Sequence, residues 1–165
     1  MISMIAAQGL HREIGLDGKM PWSLPGDSEH FKKLTQGHTM LMGRRTFDSL
    51  PGVLPGRMHI IISRDPNFRK DHKRVKIRPD LEECLREAAT SEEEVFVIGG
   101  GVIYEAALPY AEKVYLTQIQ RSFEADTYFP RLGAEWELIR EEPVQQLPGD
   151  EAPYCFQTYQ RRKST

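Results

Sequence analysis

A chain of 165 residues has the length of one compact domain, since ordinary domains hold roughly 100 to 150 residues and a second full domain does not fit. Its 22 Lys and Arg against 24 Asp and Glu leave a net charge of −2, too little positive charge to grip a nucleic-acid backbone, which excludes a general DNA or RNA binder. The most apolar stretches, 1–7 and 95–104, fall far short of the roughly 20 residues of a membrane helix. The N-terminal Met1-Ile2-Ser3-Met4-Ile5 lacks the basic segment and cleavage site of a secretory signal, so a cytoplasmic location is expected. Cys84 and Cys155 form no CxxC pair and no disulfide framework, and are expected as small buried hydrophobes.

In chain order, segments 2–8, 39–42, 59–63, 94–98 and 114–119 are β-rich runs, with helical patterns after most of them. That alternation predicts an α/β fold with a largely parallel sheet. Segments 136–142 and 154–161 are β-like and separated by the turn-rich stretch 143–153, which predicts a C-terminal antiparallel hairpin. Between them in kind, Asp80 with Glu83 three residues later offers a helix start, followed by Leu81, Cys84, Leu85 and Ala88 at helical spacing. The basic stretch 69–78 and the acidic triplet 92–94 read as solvated loops.

The loop 15–24 holds Gly15, Gly18, Met20, Pro21 and Trp22, a mixture of hinge residues and large apolar groups that suits a lid over a site. Pro25 then fits the first position of a helix, where its missing N–H is harmless. Asp27 falls in the first turn and, at 100° per residue, projects on the same side as Phe31 and Leu34. Burial there raises its pKa while the helix N-terminus lowers it, and a ligand with two N–H donors, such as an amino-pyrimidine, holds it ionised. The competing reading is an ordinary acid at a helix start.

Two strand-to-helix junctions, Met42-Gly43-Arg44-Arg45-Thr46 and Ile98-Gly99-Gly100-Gly101, can aim backbone N–H groups at phosphate, or can simply pack tightly. Arg44 and Arg45 add fixed charge, and Ser63-Arg64 adds more beside another strand end. The five histidines show no metal-ligand spacing and read as surface or helix-face residues, so no metal is expected. No Ser-His-Asp or Cys-His arrangement supports acyl transfer. Trp22, Phe31, Leu50 and Leu54 fit either a flat aromatic-ligand slot or plain core.

Taken together, Met20-Pro21-Trp22-Ser23-Leu24-Pro25-Gly26-Asp27, Met42-Gly43-Arg44-Arg45-Thr46-Phe47, Leu54-Pro55-Gly56-Arg57, Ile98-Gly99-Gly100-Gly101-Val102-Ile103-Tyr104 and Asp126-Thr127-Tyr128-Phe129-Pro130 resemble the dihydrofolate reductases of the chromosomal bacterial type, in the same order and spacing along nearly the whole chain. The resemblance implies a single domain over 1–165 with an eight-stranded, mostly parallel sheet. It also implies NADPH-dependent reduction of 7,8-dihydrofolate to tetrahydrofolate, with hydride delivered to pterin C6 and a proton to N5. Asp27 would bind the pterin 2-amino group and N3 and support that protonation, with Thr117 and Trp22 completing a polar network through water. Ile5, Ala7, Met20, Phe31, Leu50, Leu54, Ile98 and Tyr104 would line the pterin, benzoyl and nicotinamide slots, and Arg57 would clamp the glutamate carboxylate.

For the cofactor, the resemblance implies Ala7, Ile14, Gly43, Arg45, Thr46, Gly99, Gly100, Gly101, Val102, Ile103 and Tyr104 along nicotinamide and pyrophosphate, Arg44, Ser63 and Arg64 at the 2′-phosphate, and a cis Gly99–Gly100 bond. It further implies a monomer inhibited by trimethoprim-like diaminopyrimidine antifolates, with no membrane or specific nucleic-acid partner. The chain departs from the family pattern at Ala125 before Asp126, at Val102, where a basic residue is frequent, and in the proline-containing 143–153 turn. The alternatives are the related reductase of riboflavin biosynthesis, disfavoured by Asp27 and Arg57, and a silent nucleotide-binding module, disfavoured by the complete lid motif.

Overall fold

The computed structural model describes residues 1–163. Ten strands form along them: β1 (Ile2–Gln8), β2 (Glu13–Gly15), β3 (Thr39–Gly43), β4 (His59–Ile62), β5 (Val75–Arg78), β6 (Val95–Gly99), β7 (Ala111–Ile119), β8 (Thr127–Tyr128), β9 (Trp136–Glu141) and β10 (Tyr154–Arg161). The helices are α1 (Pro25–Thr35), α2 (Arg44–Ser49), α3 (Leu81–Thr90) and α4 (Gly101–Ala107), the last running into a 3-10 turn at Leu108–Tyr110. Eight strands make one sheet in the order β5-β4-β3-β6-β1-β7-β10-β9, while β2 and β8 pair separately. The pairings from β5 through β7 are parallel, and β10 lies antiparallel to both β7 and β9. The α/β class and the C-terminal hairpin therefore stand as the sequence led us to expect.

The central strands are covered on both faces, and their composition shows it. β3 and β6 read Met40-Leu41-Met42 and Val95-Phe96-Val97-Ile98, and every one of these side chains is buried. Such unbroken apolar runs belong to parallel strands sandwiched between helices. One cluster gathers Leu41, Val97, Leu85, Ile103 and Trp136, and a second gathers Ile5, Met40, Phe47, Leu54 and Ile98 with Phe31, Leu34 and Leu50 packed against it. The apolar face predicted for α1 is thus the face that meets the sheet. α3 starts at its Asp80 cap, whose side chain accepts from the Glu83 N–H at 3.1 Å, and buries Cys84, Leu85 and Ala88.

Three local expectations need correcting. The basic stretch 69–78 is not all loop: Val75 and Ile77 alternate with Lys76 and Arg78 in the edge strand β5, a period of two obscured by the charges around it. Arg78 is itself anchored, placing its guanidinium on Glu87 at 3.1 and 3.2 Å. In the acidic triplet, Glu94 accepts from the Ser3 hydroxyl at 2.5 Å instead of standing free in solvent. His59 is fully buried, not a surface residue. Its Nε2 accepts from the Leu54 N–H at 3.1 Å, which leaves Nδ1 to donate to the Arg57 carbonyl at 3.0 Å, so the ring is neutral and braces the 54–57 turn.

Parallel pairing aligns the carboxyl ends of β3, β6 and β1 along one edge of the sheet, and the lid, α2 and α4 leave from it. Ligand sites of open α/β sheets lie at this edge.

Candidate active site

Asp27 sits in the first turn of α1, facing an open cleft of about 500 Å³ that Met20, Trp22, Ser23, Leu24, Ser28 and others line. The Thr117 hydroxyl of β7 donates to Asp27 Oδ1 at 2.6 Å, the one side-chain hydrogen bond to this carboxyl among the described residues. Burial dominates its chemistry. Its pKa is pushed up to about 6 from the ordinary 3.8, chiefly by desolvation and further by the charge of Asp150, while the Thr117 hydrogen bond works the other way. Glu29 and Lys32 also border the cleft, but both are exposed at its rim.

Of the expected wall residues, Met20 and Trp22 line this cleft with Asp27, while Ile5, Phe31, Leu50, Leu54 and Ile98 belong to one apolar cluster of the core. Ile5, Leu54, Ile98, Trp22 and Tyr104 are buried, and Ala7, Phe31 and Leu50 are partly so. Trp22 packs on Phe123 with ring centroids 5.1 Å apart. The Tyr104 hydroxyl lies 2.6 Å from the Ile5 carbonyl and 2.8 Å from that of Ile98, which ties its proton to the backbone. Burial also raises its pKa. The hydroxyl of Tyr104 is thus engaged by the backbone. Met20 is 61% exposed and borders the cleft without closing it.

Arg57 is 4% exposed. Its Nε donates to Thr35 Oγ1 at 3.0 Å, and its terminal nitrogens donate to the Pro55 carbonyl at 2.5 Å and the Lys32 carbonyl at 2.6 Å. These partners are neutral, and among the described residues no carboxylate pairs with it. A recessed guanidinium lacking a counter-charge but with two N–H groups to spare has the donors that an anion could use.

On the other side of the same strand edge, α2 begins at Gly43 and α4 at Gly100, each without a side-chain cap. Their strands, β3 and β6, are hydrogen-bonded neighbours, so two sets of unpaired helix N–H groups open side by side. The Gly99–Gly100 bond is cis. At Gly99, with φ of +126°, an added Cβ would stand 3.3 Å from Thr46 Oγ1 and from the Tyr104 ring, which explains the glycine. These features fit a diphosphate, with Arg45 exposed beside them. Ile103 is buried beneath, Ile14 is partly buried, and Val102 is 79% exposed with no charge to offer.

Arg44 is exposed, donating to Asp65 Oδ2 at 3.0 Å and lying over the Phe68 ring at 4.3 Å. Ser63 Oγ accepts from the Asp65 N–H at 3.2 Å. Arg64 has no side-chain partner among the described residues.

A family model described as dihydrofolate reductase matches residues 1–161. The chain is 36% identical to the dihydrofolate reductase of Bacillus subtilis, the alignment covering 100% of this chain and 97% of the relative. It is 37% identical to that of Staphylococcus haemolyticus, covering 97% and 95%. The chain belongs to the dihydrofolate reductase family. It is an NADPH-dependent oxidoreductase that reduces dihydrofolate to tetrahydrofolate. Among solved structures, dihydrofolate reductase from Enterococcus faecalis complexed with NADP(H) and RAB-propyl superposes with a TM-score of 0.86 at 31% identity, covering 99% of this chain and 97% of that one.

Sequence reasoning named Asp126 but missed several contacts around the cleft and its lid. Asp65, which pairs with Arg44, stood next to Arg64 and was hidden by its own negative sign. Asp126 keeps its grip on the lid despite Ala125: Asp17 N–H donates to its Oδ2 at 3.0 Å, and its own N–H donates to the Gly15 carbonyl at 2.9 Å. The far end of the lid is held from the 143–153 turn, where Glu151 Oε1 accepts from the Ser23 N–H at 3.0 Å and the Glu151 N–H donates to the Ser23 carbonyl at 3.1 Å. Buried Glu13 accepts from the His11 and Phe123 N–H groups at the lid's base. No signal of spacing connects Asp17 with Asp126, Ser23 with Glu151 or Glu13 with Phe123, pairs that lie more than a hundred residues apart.

The raised pKa of Asp27 has a consequence for stability. Its contribution is fully present below about pH 4 and is lost as pH rises through about 6, because the folded protein resists ionising this group more than the unfolded chain does. Asp27→Asn should therefore stabilise the protein at pH 7 by about 1 to 3 kcal/mol, with the gain vanishing at pH 4. Urea unfolding at the two pH values measures it, and an equal effect at both would refute the assignment.

Proposed function

We propose that Asp27 is the proton-handling and pterin-binding residue of this reductase, accepting from the 2-amino group and N3 of dihydrofolate and supporting protonation at N5. The observation that carries this reading is a recessed carboxyl whose pKa of about 6 lies near neutrality, facing the cleft with one hydroxyl partner. A general acid works best when its pKa lies close to the working pH. NADPH, when bound, supplies the hydride that reduces pterin C6. The protein's own contribution is position, electrostatics and exclusion of water. Thr117 holds one carboxyl oxygen so that the other is left for the ring, and Trp22 with the lid shields the reacting edge.

Ile5, Ala7, Met20, Phe31, Leu50, Leu54, Ile98 and Tyr104 form the slots for pterin, benzoyl and nicotinamide. Arg57 takes the glutamate carboxylate as the counter-charge that it lacks. Gly43, Arg45, Thr46 and Gly99–Val102 hold the pyrophosphate by backbone N–H groups, with Ile14 and Ile103 beside them. Arg44, Ser63 and Arg64 take the 2′-phosphate, for which Arg44 exchanges its pairing with Asp65. The reading extends to a cytoplasmic monomer open to diaminopyrimidine antifolates, which present the same N–H edge to Asp27. No described helix is long and apolar enough to cross a membrane.

Asp27→Asn should slow dihydrofolate reduction at pH 7 by roughly 10² to 10⁴-fold, with the loss shrinking at low pH, where solvent protonates the substrate directly. The wild-type rate should fall as pH rises above about 6, because the acid form is lost. Unchanged turnover at 340 nm by the variant at pH 7 would falsify the role.

Arg57→Ala should raise the Kd of dihydrofolate far more than it lowers the hydride-transfer rate. A pterin lacking the glutamate tail should lose nothing, and an equal loss for both ligands would show a structural effect instead.

Arg44→Ala should weaken NADPH by roughly 10 to 150-fold, the worth of one charge-assisted hydrogen bond, and leave NADH nearly unaffected. The ratio of the two dissociation constants decides it, since equal losses would move Arg44 to a pyrophosphate or structural role.

A further inference from the structure

The start of α1 has no cap of its own. Leu24 stands at the N-cap position and offers no side-chain acceptor. The missing acceptor comes from the other end of the chain: Asp150 Oδ1 accepts from the Gly26 N–H at 3.0 Å, immediately before Asp27. Asp150 is 7% exposed. Its Oδ2 accepts from the Leu147 N–H at 2.9 Å and from the Tyr154 hydroxyl at 2.7 Å. The fit is close enough to dictate the residue opposite, since a Cβ on Gly26 would stand 2.1 Å from the Tyr154 hydroxyl oxygen and 2.9 Å from Asp150 Oδ2.

We propose that Asp150 is a positioning residue for this reductase, capping α1 through the Gly26 N–H so that Asp27 is fixed against Thr117, and holding a negative charge that adds to burial in opposing ionisation of Asp27. Two carboxyls here share one helix end, and their environments diverge. Asp150 takes an N–H of the helix start, a second backbone N–H and a phenol, all of which favour its ionised form. Asp27 is left with one hydroxyl, and the fixed charge of Asp150 opposes a second negative charge beside it.

The other titratable groups near Asp27 are accounted for. Tyr104 of α4 and Tyr154 of β10 are neutral, their pKa values raised by burial. Glu29 and Lys32 of α1 stand exposed at the cleft rim, and His30 stacks on Phe156 at 3.6 Å. Glu151 is turned to Ser23 and to Arg121 at 3.4 Å.

The test is the titration of the Asp27 carboxyl carbon by ¹³C NMR in the ligand-free protein, its resonance identified by its absence in Asp27→Asn. Asp150→Asn and Asp150→Ser both remove the charge, and either one that folds suffices. The Asp27 midpoint should move to lower pH by roughly 0.5 to 1 unit, while Tyr154→Phe, which loosens the same contact but keeps the charge, should leave it in place. All three variants should lower the Tm. A midpoint unmoved in the neutral variants, or moved equally by Tyr154→Phe, would overturn the proposal and leave Asp150 as a helix cap alone. The kinetic consequence rests on the role given to Asp27 above: the alkaline limb of the hydride-transfer profile should shift with the midpoint, lowering the rate at pH 7 by about 3 to 10-fold. A midpoint that moves without the profile supports the proposal for Asp150 and counts against Asp27 as the proton's route.

Discussion

The site depends on one carboxyl kept where ionisation is unfavourable. Asp27 lies against apolar walls with a single hydroxyl partner, and desolvation outweighs that partner. A carboxyl in water holds no proton at neutral pH, whereas this one is poised to hold or release it within reach of neutrality. Such a position is costly to the fold, and the structure accommodates it by satisfying everything around it. Thr117 fixes one oxygen, and Asp150 relieves the uncapped end of α1.

The same division of labour recurs at the arginines. Arg57 has its backbone-facing donors filled by neutral acceptors, which fixes the guanidinium without cancelling its charge. Arg44 is paired with Asp65 and stacked on Phe68, so that its charge is partly cancelled. One arginine is held as an uncompensated cation and the other as an ion pair. The first suits a ligand whose carboxylate enters a recess, and the second a phosphate that arrives at an exposed edge.

The lid shows how distant segments share control of the site. Asp126 holds it near Gly15 and Asp17, Glu13 ties its base to Phe123, and Glu151 holds Ser23. These anchors are carboxylates that accept from backbone N–H groups. The lid's anchorage is thus largely indifferent to which side chains the lid itself carries, and Met20 remains exposed to the cleft.

The sequence by itself determined the elements whose signal is local. The apolar runs of β1, β3, β4 and β6, the Pro25 start of α1, the Asp80 cap of α3 and the facing of Asp27 toward Phe31 and Leu34 all follow from periodicity and backbone chemistry within a few residues. The order and spacing of the motifs along nearly the whole chain also carried the resemblance to the family, to which the family model over residues 1–161 assigns it. The tertiary structure alone decided the balance of charges. Nothing near Asp27 in the chain tells that Asp150 takes the helix-end N–H, so the sign of the Asp27 shift was open between burial and dipole. His59 read as a surface residue because its two partners, the Leu54 N–H and the Arg57 carbonyl, are backbone groups with no signature in sequence. β5 was hidden because Lys76 and Arg78 mask its alternation, and only pairing with β4 reveals it. Desolvation and long-range hydrogen bonds are properties of neighbours in space, which the chain order does not record.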